Sequence, residues 1–128
     1  MAETERVICR VDQLAEGGLA MRFEIALVQP AREVSCFAIA YEGAVYAYVN
    51  SCPHRGTELD WQPGGVFEET GLYLMCATHG AIFEPNSGLC IAGPCHGAYL
   101  QSLPIKVVGN EVMLLSIGVE MTNGKPET

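Results

Sequence analysis

The chain has 128 residues, 49% of them apolar, with 14 Gly, 7 Pro and a formal net charge of −8. That length suits one domain with a real core, and the Gly and Pro content indicates many turns, as in a small all-β protein. The acidity argues against nucleic acid and anionic membrane surfaces as partners. No apolar run approaches the roughly 18 residues of a membrane span. Met1-Ala2-Glu3-Thr4-Glu5 lacks the basic start and apolar core of a secretory leader, so the expected compartment is the cytoplasm.

Taken in order, 5–11 reads as a first strand, followed by a turn through Asp12-Gln13-Leu14 and Gly17-Gly18. Residues 19–28 alternate, with Met21, Phe23, Ile25 and Leu27 on one face and Arg22 and Glu24 on the other, the pattern of a half-buried strand. Pro30 marks a turn over 29–32. The segments 34–41 and 44–49 form a hairpin around Glu42-Gly43. In its second strand Tyr46 and Tyr48 share one face, and Val45, Ala47 and Val49 share the other, an arrangement that suits sheet packing. A short strand over 72–76 follows, then a hairpin of 81–83 and 89–91 turning at 85–88. A final hairpin of 103–108 and 111–117 turns at Gly109-Asn110, and 120–128 is a polar, fraying tail. No segment reads as a long helix, a linker or a repeat. The architecture expected is all-β: a small antiparallel barrel or sandwich, 1–128 as one domain, with an inserted subdomain over about 50–96.

That insert carries the chemistry. It opens with Cys52-Pro53-His54-Arg55-Gly56 and continues with Cys76-Ala77-Thr78-His79-Gly80, with 21 residues (55 to 75) between His54 and Cys76. Phe83, Ser87-Gly88, Cys90 and Gly93-Pro94 complete it. Two thiols and two imidazoles on two loops are a soft metal-ligand set. Tetrahedral zinc uses the same atoms, but zinc fingers usually keep their two Cys together and their two His together. Here each loop holds one of each.

The two pairs, the Gly after each, Phe83 and the Gly93-Pro94 loop resemble the Rieske [2Fe–2S] proteins over roughly residues 5–117. The resemblance implies one [2Fe–2S] cluster per chain, with Cys52 and Cys76 on one iron and His54 and His79 on the other. Two thiolates neutralise the plus-two charge of two ferric ions and two sulfides, so adding an electron is easier than at an all-Cys site. The spacing between the pairs is longer than the family's usual one, and the turn-rich 61–71 stretch holds the extra residues. Rieske proteins of respiratory and photosynthetic complexes join their ligand loops by a disulfide. The matching positions here are Thr57 and Thr78, which places this chain with the soluble ferredoxin-type branch. In that branch the Gly93-Pro94 loop covers the cluster, and Gly56 and Gly80 let backbone N–H groups approach the sulfides.

The remaining Cys divide by context. Cys9 and Cys36 sit in apolar strand patterns as buried thiols. Cys90 and Cys95 flank the Gly-Pro loop, where a cytosolic location disfavours a disulfide. Trp61 is expected to pack in the long insert, and His96 to be exposed and inert. Five acids (Glu58, Asp60, Glu68, Glu69, Glu84) against Arg55 alone give the 52–96 stretch a negative excess, which suits a partner with a basic patch.

The function implied is an electron carrier and not an enzyme, accepting single electrons from a flavin reductase and passing them to a terminal oxygenase or hydroxylase. An oxygenase catalytic subunit needs a second iron held by two further His and a carboxylate. The chain has 3 His in all, two of them committed. Two other readings stay open: a small Rieske-like subunit of a multisubunit reductase such as nitrite reductase, and a redox sensor. None of these implies nucleic acid or membrane as a partner.

Overall fold

Three antiparallel three-stranded sheets make up the computed structural model, which describes residues 5–28, 31–53, 57–60, 62 and 64–115. Strand β1 (Glu5–Arg10) is paired through β9 (Glu111–Leu115) to β8 (Ile105–Val108). A bulge between Val7 and Cys9 interrupts the β1–β9 register. The second sheet runs β2 (Met21–Val28), β3 (Ala31–Tyr41), β4 (Ala44–Val49), and the third β5 (Leu74–Met75), β6 (Ile82–Phe83), β7 (Cys90–Ala92). Among the described residues helical structure is confined to one short 3-10 turn over Val11–Gln13, and no helix is long and apolar enough to cross a membrane.

The hairpins follow the turn chemistry. Glu42 and Gly43 both take positive φ (50° and 80°), as a two-residue turn matched to strand twist requires, and set the register Tyr41↔Ala44. The turn expected over 29–32 is shorter: Ala31 and Arg32 already belong to β3, while Gln29 and Pro30 lie outside the described residues, as do Ile117 and the 120–128 tail.

The first two sheets close on one another. Arg6 donates from Nη1 to the Glu24 carbonyl (2.6 Å) and lies over the Phe23 ring. On the far side, 101–103 runs beside β4, with Val49 N–H to Gln101 O and Leu103 N–H to Ala47 O, both 2.9 Å. Phe23, Ile25, Cys36, Ala38, Ala47, Val49 and Leu114 fill this barrel.

The opposite face of the same sheet serves a second core. Phe37, Ile39 and Tyr48 pack with Leu59, Leu74, Phe83 and Leu100 and with four Cys: 52, 76, 90 and 95. Alternation along β3 and β4 thus feeds two cores, one on each side. Tyr48 is anchored there by a 2.8 Å hydrogen bond from its hydroxyl to the Pro85 carbonyl. The sheet therefore holds the third sheet, and the ligand loops it carries, against a rigid barrel.

Candidate metal centre

Two loops of like construction carry the Cys of the motif. In each, the Cys N–H bonds a carbonyl five positions on: Cys52 to Thr57 (2.8 Å) and Cys76 to Ala81 (2.9 Å). The loops are tied to one another by Ala77 N–H to Leu59 O (2.9 Å) and by the Thr57 and Thr78 hydroxyls, 3.3 Å apart. The two positions matched to the family's disulfide are therefore neighbours here, joined by a hydroxyl hydrogen bond.

Cys52 and Cys76 are buried side by side, with a hydrogen bond between their side chains. Burial raises the Cys76 pKa, but the Thr78 and His79 N–H groups, the Cys52 thiol and the Thr78 hydroxyl outweigh it and hold the group below the ordinary thiol value. Donors aimed at a sulfur favour its thiolate, the form that binds metal. His79, three residues on, is exposed. His54, Arg55, Gly56 and Trp61 lie outside the described residues. Among the described residues no three His, Cys, Asp or Glu side chains converge on a single point; a Rieske cluster asks two protein ligands of each iron. Two adjacent buried thiols with thiolate-stabilising donors, beside a solvent-facing imidazole, fit that group.

Gly80 has φ +73°, and its N–H bonds the Cys76 carbonyl (2.9 Å). It closes the second ligand loop on itself. Gly93 packs against Ala81, whose carbonyl accepts the Cys76 N–H. A Cβ on Gly93 would lie 2.8 Å from the Ala81 Cα, at φ +102°, so only glycine allows this approach. His96 is exposed.

The first loop is held by a polar clamp that hydrophobic patterning did not reveal. Asn50, buried where β4 ends, donates from Nδ2 to Asp60 Oδ1 (3.0 Å) and accepts from Leu59 N–H (2.7 Å). Asp60 also accepts from Gly64 N–H (3.0 Å) and faces Arg22 at 3.4 Å, its side chain 1% exposed. Arg22 further bonds Ser35 and Glu58. Asn50 thus joins the entry of the ligand loop to its exit.

The same bonds revise the acidic excess. Asp60 is interior and paired, and Glu58 is paired with Arg22. Glu68 turns back on its own loop, accepting from the Thr70 hydroxyl and from the N–H groups of Thr70, Leu72 and Tyr73. Glu84 accepts from Ser87 (2.7 Å). The long spacer is a stapled loop, packed through Ala20 N–H to Gly64 O (2.8 Å) against the barrel.

The model of the family described as Rieske [2Fe-2S] domain matches residues 4–115. No curated protein matches the chain. Among solved structures, the ferredoxin of carbazole 1,9a-dioxygenase from Nocardioides aromaticivorans IC177 is similar at TM-score 0.66 and 23% identity, over 88% of this chain and 97% of that one. The terminal oxygenase of carbazole 1,9a-dioxygenase from Novosphingobium sp. KA1 is similar at TM-score 0.65 and 18% identity, over 86% of this chain and 29% of that one. A reduced complex between oxygenase and ferredoxin in carbazole 1,9a-dioxygenase matches at TM-score 0.65 and 16% identity, over 86% and 27%.

Proposed function

Because this chain belongs to the Rieske [2Fe–2S] domain family, and so carries one [2Fe–2S] cluster, we propose that it is a one-electron carrier working in the cytoplasm between a flavin reductase and a terminal oxygenase. Cys52 and Cys76 hold one iron, and His54 and His79 the other. The residues 1–128 act as a single Rieske domain, with the cluster-binding subdomain over about 50–96.

The observation that carries the reading is the polarity of the site: Cys52 and Cys76 are buried, 3% and 1% exposed, while His79 faces solvent. The bound cluster supplies reversible one-electron transfer. Buried thiols shield the inner side, the Gly93-Pro94 loop excludes water beside Ala81, and the imidazole side gives the partner a short approach. The ferredoxin likeness spans nearly all of that carrier, while the oxygenase likeness spans under a third of that enzyme, which supports carrier over catalyst.

Anaerobically purified protein should hold two irons and two acid-labile sulfides per chain. Replacing Cys52, His54, Cys76 or His79 singly should abolish or alter the cluster's spectrum. Stoichiometric zinc without sulfide, from cells grown with ample iron, would overturn the assignment. Single-turnover transfer from a flavin reductase to a terminal oxygenase, followed by stopped flow, tests the carrier role.

A further inference from the structure

Two Cys outside the ligand set lie together. The Cys95 Sγ is 3.1 Å from the Cys90 Sγ, and Cys90 in turn donates to the Ala92 carbonyl at 3.2 Å. The backbone holds them there. Cys90 N–H bonds Ala98 O (2.8 Å), Gly97 N–H bonds Cys90 O (2.9 Å), and Ala98 N–H bonds Cys95 O (2.9 Å). The turn that carries Cys95 exposes its neighbours Pro94, His96 and Gly97. A disulfide needs its sulfurs at about 2.05 Å, about 1 Å closer than these.

We propose that Cys90 and Cys95 form a second redox site, a dithiol that closes reversibly to a disulfide when a low-molecular-weight disulfide accumulates. The site moves two electrons. The Cys95 sulfur, the more exposed of the pair, loses its proton and attacks one sulfur of a disulfide such as oxidised glutathione, expelling a thiolate. Cys90 then loses its proton, attacks the Cys95 sulfur of the mixed disulfide and expels the second thiolate. One S–S bond breaks and one forms. The chain gives up two electrons and two protons, and two glutathione thiols leave.

Both thiols are buried, so a disulfide from solution reaches them slowly and closure records sustained oxidation rather than brief pulses. Cys95 also donates toward the Cys52 side chain, so closure removes a thiol donor from beside a proposed iron ligand.

The test uses cluster-loaded protein equilibrated anaerobically with glutathione buffers of rising oxidised fraction, then denatured in acid and alkylated. The expected result is a chain lighter by two hydrogen atoms, with a peptide linking Cys90 to Cys95, an unbleached visible spectrum, and reopening by dithiothreitol. Cys90→Ala and Cys95→Ala chains should keep the cluster and lose the link. Both thiols free in fully oxidised glutathione, a lasting glutathione adduct on Cys95, a link reaching Cys52 or Cys76, or bleaching in step with closure would each overturn the proposal. Iron and sulfide content of the same sample reports separately on the ligand assignment.

Discussion

Replacing Asn50 by Ala removes the clamp across the first ligand loop without touching a proposed ligand. Two buried groups lose their partner. The Leu59 N–H, in a residue fully shielded from solvent, loses its 2.7 Å acceptor, and an orphaned buried donor costs about 1–3 kcal/mol. The Asp60 carboxylate loses the 3.0 Å donor, and hydrogen bonds to charged groups are worth roughly 1.5–3 kcal/mol. Asp60 keeps Gly64 N–H and Arg22, which places the second loss at the low end of that range. Together the substitution should destabilise the chain by about 3–4 kcal/mol, a large share of the roughly 5–15 kcal/mol typical of a domain. Urea unfolding of the cluster-free protein, followed by tryptophan fluorescence and circular dichroism, measures it. The holoprotein should also bleach faster under a chelator, because the loop holding Cys52 loosens. Asn50→Asp keeps the shape but sets a second carboxylate against Asp60. It should be worse than Ala at neutral pH and recover in acid, where the pair shares a proton. A loss under about 1 kcal/mol for Asn50→Ala would show that Leu59 and Asp60 find other partners and that the clamp does not hold the loop.

Other outcomes follow from neighbouring features. The Thr70 hydroxyl, and then the loop's N–H groups, hold the Glu68 carboxyl below its usual pKa; its contribution is full above the unfolded carboxylate value of about 4.3 and lost as pH falls through the lower folded one, so amide exchange at Thr70, Leu72 and Tyr73 should accelerate in acid. Glu68→Lys should loosen that loop at any pH, whereas Glu69→Lys, at an exposed position, should leave exchange unchanged and alter only the salt dependence of association with a partner. With a hydroxyl pair where the respiratory proteins have a disulfide, the reduction potential should fall in the lower half of the roughly −150 to +300 mV Rieske range; voltammetry giving an upper-half value would refute this. Cys95→Ala should keep the visible spectrum but lower the potential by roughly 30 mV, about a threefold change at 59 mV per tenfold, while Cys95→Ser, which retains a donor, should lower it less.

What was legible in the sequence was local. The β3–β4 hairpin follows from Glu42-Gly43 and alternating apolar residues, and β8–β9 from Gly109-Asn110, because a two-residue turn sets register by itself. The spacing of Cys52 from Cys76 and of each from its His pointed to the loops, because the chemistry demands those residue types. Pairing of β1 with β9 was not legible, since strand period says nothing of a partner a hundred residues away. Arg22 was readable only as the polar face of β2; its partners Ser35, Glu58 and Asp60 come from two other segments. Glu68 counted as surface charge because composition cannot tell a solvated carboxylate from one turned onto its own backbone. The alternation of β4 was legible, with Tyr46 and Tyr48 set for sheet packing, but not what each face meets: the Tyr face joins the core around the cysteines, the other the barrel.

The two cores differ in one respect that bears on how the protein comes to be made. All four cysteines of the insert sit in the core between the second and third sheets, and the barrel core contains neither Cys52 nor Cys76. Folding of the barrel therefore needs nothing from the iron supply. The first two sheets, including the β3–β4 surface on which the insert docks, contain nothing that waits for iron. The biosynthetic machinery would then meet a receptacle with one wall already standing. Under iron scarcity the chain would accumulate as a stocked intermediate, ordered in the barrel and available for loading when iron returns.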